Sequence, residues 1–81
     1  MIGGRWRRPL KCTEVKTILK NLGFAYRNTE GSHENWIKDV PGKRLKVTVD
    51  CPKAPFSDWL IGSMARQAGV SVKEFYKELE K

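Results

Sequence analysis

The chain has 81 residues, 16 of them Lys or Arg against nine Asp or Glu, for a formal net charge of +7. That length makes one small domain, which buries only about 60% of its unfolded surface and therefore needs a compact, two-layered core. No apolar run approaches the ~18 residues of a membrane span, and the first residues lack the apolar stretch of a signal peptide, so a soluble cytoplasmic protein with no membrane partner is expected. Such an excess of positive charge suits an acidic partner, a phosphate backbone first and an acidic protein second; a basic solvated surface is the plain alternative. Cys12 and Cys51 are too few for a disulfide framework and form no CxxC pair, so reduced thiols used for packing are expected. With a single histidine beside them, neither a zinc site nor any other cofactor is expected.

Residues 1–11 carry Arg5, Arg7, Arg8 and Lys11 with no acid among them, and Gly3, Gly4 and Pro9 argue against a helix. They read as a basic arm preceding a domain over 12–81. An Arg-Trp-Arg-Arg segment can follow phosphates and stack a base on Trp6, or it can be a plain chain end. Thr13 then reads as an N-cap with Glu14 at the favourable end of the helix dipole. Val15, Ile18, Leu19 and Leu22 form one apolar stripe at i, i+3, i+4 and i+7, and Gly23 closes the helix as a left-handed residue.

Residues 24–28 predict a first strand, 29–32 a turn, and 33–38 a second strand. Val40-Pro41-Gly42-Lys43 is a type II turn signal. Residues 44–50 alternate strictly, with Leu45, Val47 and Val49 on one side and Arg44, Lys46 and Thr48 on the other. An even-numbered loop between strands two and three would put Trp36 on the aliphatic side and His33, Asn35 and Ile37 on the cationic side; an odd one would reverse this. The even case satisfies burial. Two prolines keep 51–56 irregular. Ser57 caps a second helix with an apolar face of Leu60, Ile61, Met64, Ala65 and Ala68, closed by Gly69. Ser71 and Glu74 form a capping box, with Val70 and Phe75 as its hydrophobic staple, at the start of a short last helix. The class is α+β, in two layers: helix, three-stranded antiparallel sheet, helix, and a short C-terminal helix, with one face of the sheet open.

Gly31-Ser32-His33 holds the only histidine, the one side chain whose ordinary pKa of about 6.5 suits proton transfer near neutrality. It follows a helix ending Leu22-Gly23-Phe24 and precedes Trp36 by three residues. Farther on come Lys46-Val47-Thr48-Val49 and Arg66-Gln67-Ala68-Gly69-Val70-Ser71 with Glu74-Phe75. This set, in this order, resembles the HicA (YcfA-like) family of toxins from bacterial and archaeal toxin–antitoxin systems, from about Thr13 onward. The resemblance implies a fold like the double-stranded-RNA-binding domain (dsRBD-like), metal-independent ribonuclease activity on mRNA, His33 as the catalytic residue, and a HicB-like antitoxin as partner. Members of the family usually carry basic residues where this chain has Asn28 and Glu30, and the nearest cation here is Arg27.

RNA cleavage without a metal needs a base for the ribose 2′-hydroxyl and an acid for the leaving 5′-oxygen. His33 can serve as either, and Asp50 lies across from it in one even register, where it would orient the imidazole. Arg27, Lys38, Lys43, Arg44 and Lys46 are candidate phosphate contacts and Ser32 a candidate donor to a phosphate oxygen. The same cations also suit a solvated sheet edge. Trp36 fits the core better than a base stack. Besides a ribonuclease, the residues fit a catalytically inactive RNA-binding module of the same shape, or an adaptor for an acidic protein.

Overall fold

The three-stranded antiparallel sheet has the order β1-β2-β3 and is flanked in sequence by helices, the α+β arrangement expected of a dsRBD-like fold. The computed structural model describes residues 8–80; Arg5, Trp6 and Arg7, the centre of the predicted arm, lie outside the described residues. The elements run α1 (Cys12–Asn21), β1 (Ala25–Glu30), β2 (His33–Val40), β3 (Lys43–Asp50), a 3₁₀ turn (Cys51–Lys53), α2 (Asp58–Ala68), α3 (Val72–Lys77) and a closing 3₁₀ turn (Glu78–Glu80).

The first helix begins earlier than its sequence suggests. Lys11, not Thr13, is the capping residue, and its backbone N–H donates to Glu14 Oε1 at 2.9 Å. A carboxylate three positions into the helix satisfies the free donor, so no small polar cap is required. Arg8 reaches the same carboxylate with two hydrogen bonds of 3.2 and 2.9 Å. At the other end Gly23 takes φ 97, and Phe24 N donates to Leu19 O at 2.8 Å, which folds buried Phe24 back onto the helix.

The hairpin of β2 and β3 decides which side chains meet. Val40 pairs with Lys43, leaving the two-residue turn Pro41-Gly42, and Gly42 has the positive φ of 83 that such a turn needs. Trp36 therefore faces Val47, Glu34 faces Val49 and Lys38 faces Leu45 on one side of the sheet. His33 faces Asp50, Asn35 faces Thr48 and Ile37 faces Lys46 on the other. Trp36, Val47 and Val49 are buried with Ile18 and Leu19 of α1, Ile61 and Met64 of α2, and Phe75 of α3. The even register of the sequence reading holds, and Trp36 belongs to the core.

The end of the predicted arm joins this core. Leu10 is fully buried and bridges to Phe56, whose N–H donates to Leu10 O at 2.8 Å. The Tyr76 hydroxyl donates to Arg8 O at 2.6 Å, tying the same stretch to α3. The expectation of two reduced thiols is not met: Cys12 and Cys51 are joined as a disulfide, with Cα atoms 5.3 Å apart. The sequence hid the pair because the two cysteines stand 39 residues apart and meet only when α1 packs beside the end of β3.

Leu10→Ala should lower the unfolding free energy by about 2–5 kcal/mol, the usual cost of emptying a buried leucine site. Urea denaturation measures it, and a loss under ~0.5 kcal/mol would mean that Leu10 is not part of the core. The Glu14 carboxyl titrates below its ordinary 4.5, first because of its hydrogen bond from Arg8 and next because of the Lys11 N–H. A carboxylate favoured in the folded state adds stability that is complete above the unfolded value and is lost as pH falls through the folded one. Stability should thus decline below about pH 4.5, and Glu14→Gln should flatten that part of the pH–stability curve.

Candidate functional site

The two-residue turn Gly31-Ser32 joins β1 to β2 and sets His33 at the start of β2, with Glu30 opposite it on β1 and Asp50 opposite it on β3. His33 is about half exposed, and its Nε2 lies 3.3 Å from Asp50 Oδ2. The other oxygen of Asp50 accepts a 2.8 Å hydrogen bond from Ser32 Oγ. Ser32 therefore holds the carboxylate rather than standing free to meet a phosphate. Lys53, presented by the 3₁₀ turn just after β3, has its Nζ 4.0 Å from Asp50 Oδ2. The cluster is histidine, carboxylate, hydroxyl and ammonium on one rim of the open face.

Asn35 occupies the next position of β2 on that face and is 6% exposed, the one buried polar residue among the described residues. Its Nδ2 donates to Asn28 Oδ1 at 2.9 Å and Glu30 Oε1 at 3.3 Å, and its Oδ1 accepts from Thr48 Oγ1 at 3.3 Å. Buried amides need such partners on both ends, so the three strands are tied together by one satisfied network. A bulge at Arg27 makes this possible. Tyr26 pairs with Trp36 on the helix-covered side, yet Asn28 pairs with Asn35 on the open side, which the extra residue between them allows. Asn28 and Glu30 thus serve to hold Asn35.

The predicted cations do not gather around His33. Lys46 sits opposite Ile37, four residues along the strand and so about 13 Å from the His33–Asp50 pair. Lys43 and Arg44 lie at the far end of the hairpin. Arg44 is bound to Asp39 at 2.7 and 3.4 Å. That hydrogen bond is the main reason the Asp39 carboxyl titrates below its usual range, and the charge of Arg27 adds to the effect. Lys38 faces the helix-covered side, and its side chain lies against Gly23. Glu34 is on that side too, paired with Lys16 at 2.9 Å and accepting from Trp36 Nε1 at 3.2 Å, so strand alternation separates it from Asp50.

The sequence reading missed a cleft of about 130 Å³ between the outer edge of β3 and α2. His33, Asp50, Lys53 and Thr48 form its polar end, and Phe56 its floor. Leu60, Ser63, Met64 and Gln67 of α2 line the opposite wall. These four fall at i, i+3, i+4 and i+7, so one helix face supplies the whole wall. Gln67 Oε1 accepts from the backbone N–H of Thr48 at 3.2 Å, satisfying that donor on the outer edge of β3 and fixing the amide's direction. The spacing of Leu60, Ser63, Met64 and Gln67 was readable in the sequence, but only the register of β3 brings that face beside His33.

The family model described as HicA toxin of bacterial toxin-antitoxin matches residues 12–70. The chain belongs to the HicA toxin family. It is therefore a toxin of a toxin–antitoxin system, with a cognate antitoxin as the partner that membership implies. No curated protein and no solved structure matches the chain. No helix among the described residues is long and apolar enough to cross a membrane. The match covers α1, the whole sheet and α2, and with them every residue of the His33 cluster and the cleft.

An anion beside one ring nitrogen selects the tautomer that carries its proton there. The neutral His33 ring should be protonated at Nε2 in this toxin, with Asp50 as the selecting group. Long-range ¹H–¹⁵N spectra read the tautomer directly. In Asp50→Asn the two tautomers should become mixed, whereas an unchanged spectrum would separate Asp50 from any role in orienting the ring.

Proposed function

We propose that this HicA-family toxin is a metal-independent endoribonuclease acting on mRNA, with His33 as its general base. The observation that carries the reading is the arrangement of His33 between Ser32-anchored Asp50 and the open cleft. With Nε2 turned to Asp50 at 3.3 Å, Nδ1 is left as the ring's proton acceptor. An imidazole of this kind can remove the proton of a ribose 2′-hydroxyl. The 2′-oxygen then attacks the adjacent phosphorus, the bond to the 5′-oxygen breaks, and a water protonates the leaving oxygen while the hydroxide so formed takes the proton held on His33. The products are a 2′,3′-cyclic phosphate and a 5′-hydroxyl. Lys53, exposed at the same rim, is the nearest cation for the charge that builds on the phosphoryl oxygens.

Net charge of +7 favours a polyanionic substrate at long range and makes its binding dependent on salt. A second reading, an inactive RNA-binding module, draws on Asn28 and Glu30, which are engaged with Asn35 and bring no cations to the site. Under the first reading His33→Ala should lower RNA cleavage by about 10²–10⁴-fold, the usual worth of a general base, and leave RNA affinity nearly unchanged. Cleavage should persist in excess EDTA, leave the cyclic phosphate, and stop when the scissile nucleotide is 2′-deoxy. Binding without cleavage by the unaltered chain would favour the second reading. EDTA-sensitive cleavage leaving a 3′-hydroxyl would overturn the role of His33.

A further inference from the structure

The cleft beside His33 has more structure than proton transfer requires. Its apolar part, Phe56, Leu60 and Met64, continues directly from the polar rim of His33, Asp50 and Lys53. Its volume of about 130 Å³ is well below the roughly 300–1,000 Å³ of pockets for larger ligands. It is close to the ~150 Å³ of an apolar cavity that admits one benzene ring. One six-membered ring matches such a space, whereas a fused pair would project from its open side.

The polar groups in the cleft are placed for a ring of a particular kind. Gln67 spends its Oε1 on the Thr48 N–H, so its orientation is fixed and its Nε2 is the amide end left to donate. A donor at the edge of an apolar slot suits a ring carbonyl. Ser63 sits one helical step away on the same wall and can donate or accept.

We propose that this cleft is a base subsite that takes a single unpaired pyrimidine, the base of the nucleotide whose 3′-phosphate lies at His33. The ring lies against the Leu60–Met64 face of α2, beside Phe56, and Gln67 Nε2 donates to its carbonyl oxygen. This inference rests on the ribonuclease reading for the position of the phosphate, but base binding itself does not require cleavage. The substrate class is thus single-stranded RNA, because a paired base cannot leave its stack to enter a slot of this depth without loss of its partner.

The test uses the ¹⁵N-labelled full chain carrying His33→Ala, with uridine 3′-phosphate, guanosine 3′-phosphate and ribose 5-phosphate as probes. Uridine 3′-phosphate should shift the amide signals of Leu60, Ser63 and Gln67, and ribose 5-phosphate should move only those around Lys53. Ser63→Trp fills the slot from its partly exposed wall. Gln67→Glu keeps an oxygen for the Thr48 N–H but removes the donor. Each should weaken uridine 3′-phosphate roughly five- to a hundred-fold, the range of one lost base contact, without changing ribose 5-phosphate. Equal binding of the guanosine and uridine probes, or equal shifts with the base-free probe, would overturn the subsite. Cleavage by the unaltered chain would still support the ribonuclease reading in either case. Uridine-specific shifts in the cleft, with no cleavage by the unaltered chain, would instead keep the subsite and overturn the ribonuclease reading.

Discussion

The register of the β2–β3 hairpin is the constraint on which the rest depends. With two residues in the turn, Trp36, Val47 and Val49 point toward the helices and His33, Asp50 and Thr48 point away. A slip of one residue would exchange these sets and place the His33–Asp50 pair under the helices and the aromatic core in water. Core packing and site assembly therefore select the same register. Burial of Val47 and Val49 supplies the free energy, and the facing of His33 and Asp50 follows with no separate determinant.

How much of this was legible can be traced residue by residue. The apolar stripe of α1, the alternation of β3, the Gly42 turn and the Ser71–Glu74 capping box are local signals, and each formed where it was read. The α1 boundary moved by two residues because a carboxylate at position 14 can satisfy the Lys11 N–H, a bond that no small cap announces. Leu10, the Cys12–Cys51 pair and the cleft wall were not legible for a common reason. Each depends on contacts between segments roughly 20 to 50 positions apart, which no local period encodes. The bulge at Arg27 belongs with them. Without it, the alternation of β1 would send Asn28 to the same side as Tyr26, and Asn35 would lose a partner.

Charge distribution qualifies the meaning of the net +7. Arg8 is bound to Glu14 and Arg44 to Asp39, so two of the cations that suggested a phosphate track are already paired with carboxylates. The row across the sheet at His33 is Glu30–His33–Asp50, with two carboxylates for one imidazole. The charged side chains around the histidine are thus two carboxylates and the ammonium of Lys53. Under the ribonuclease reading, the excess positive charge would act over the whole surface, as a field that draws in a polyanion, more than at the reacting atoms.

That division clarifies why the cleft lies where it does. Under the ribonuclease reading, a site whose nearest side chains include two carboxylates would gain little from the phosphate alone, and binding would draw on something besides charge. The slot between β3 and α2 offers apolar surface within one nucleotide's reach of His33. A ring held there would fix the adjacent 2′-hydroxyl relative to Nδ1, and positioning of this kind favours an intramolecular attack. The Gln67–Thr48 bond gives that slot a rigid wall by tying α2 to the edge of β3. One hydrogen bond thus serves both the outer edge of β3 and the wall of the slot, which couples the sheet edge to the geometry of the site.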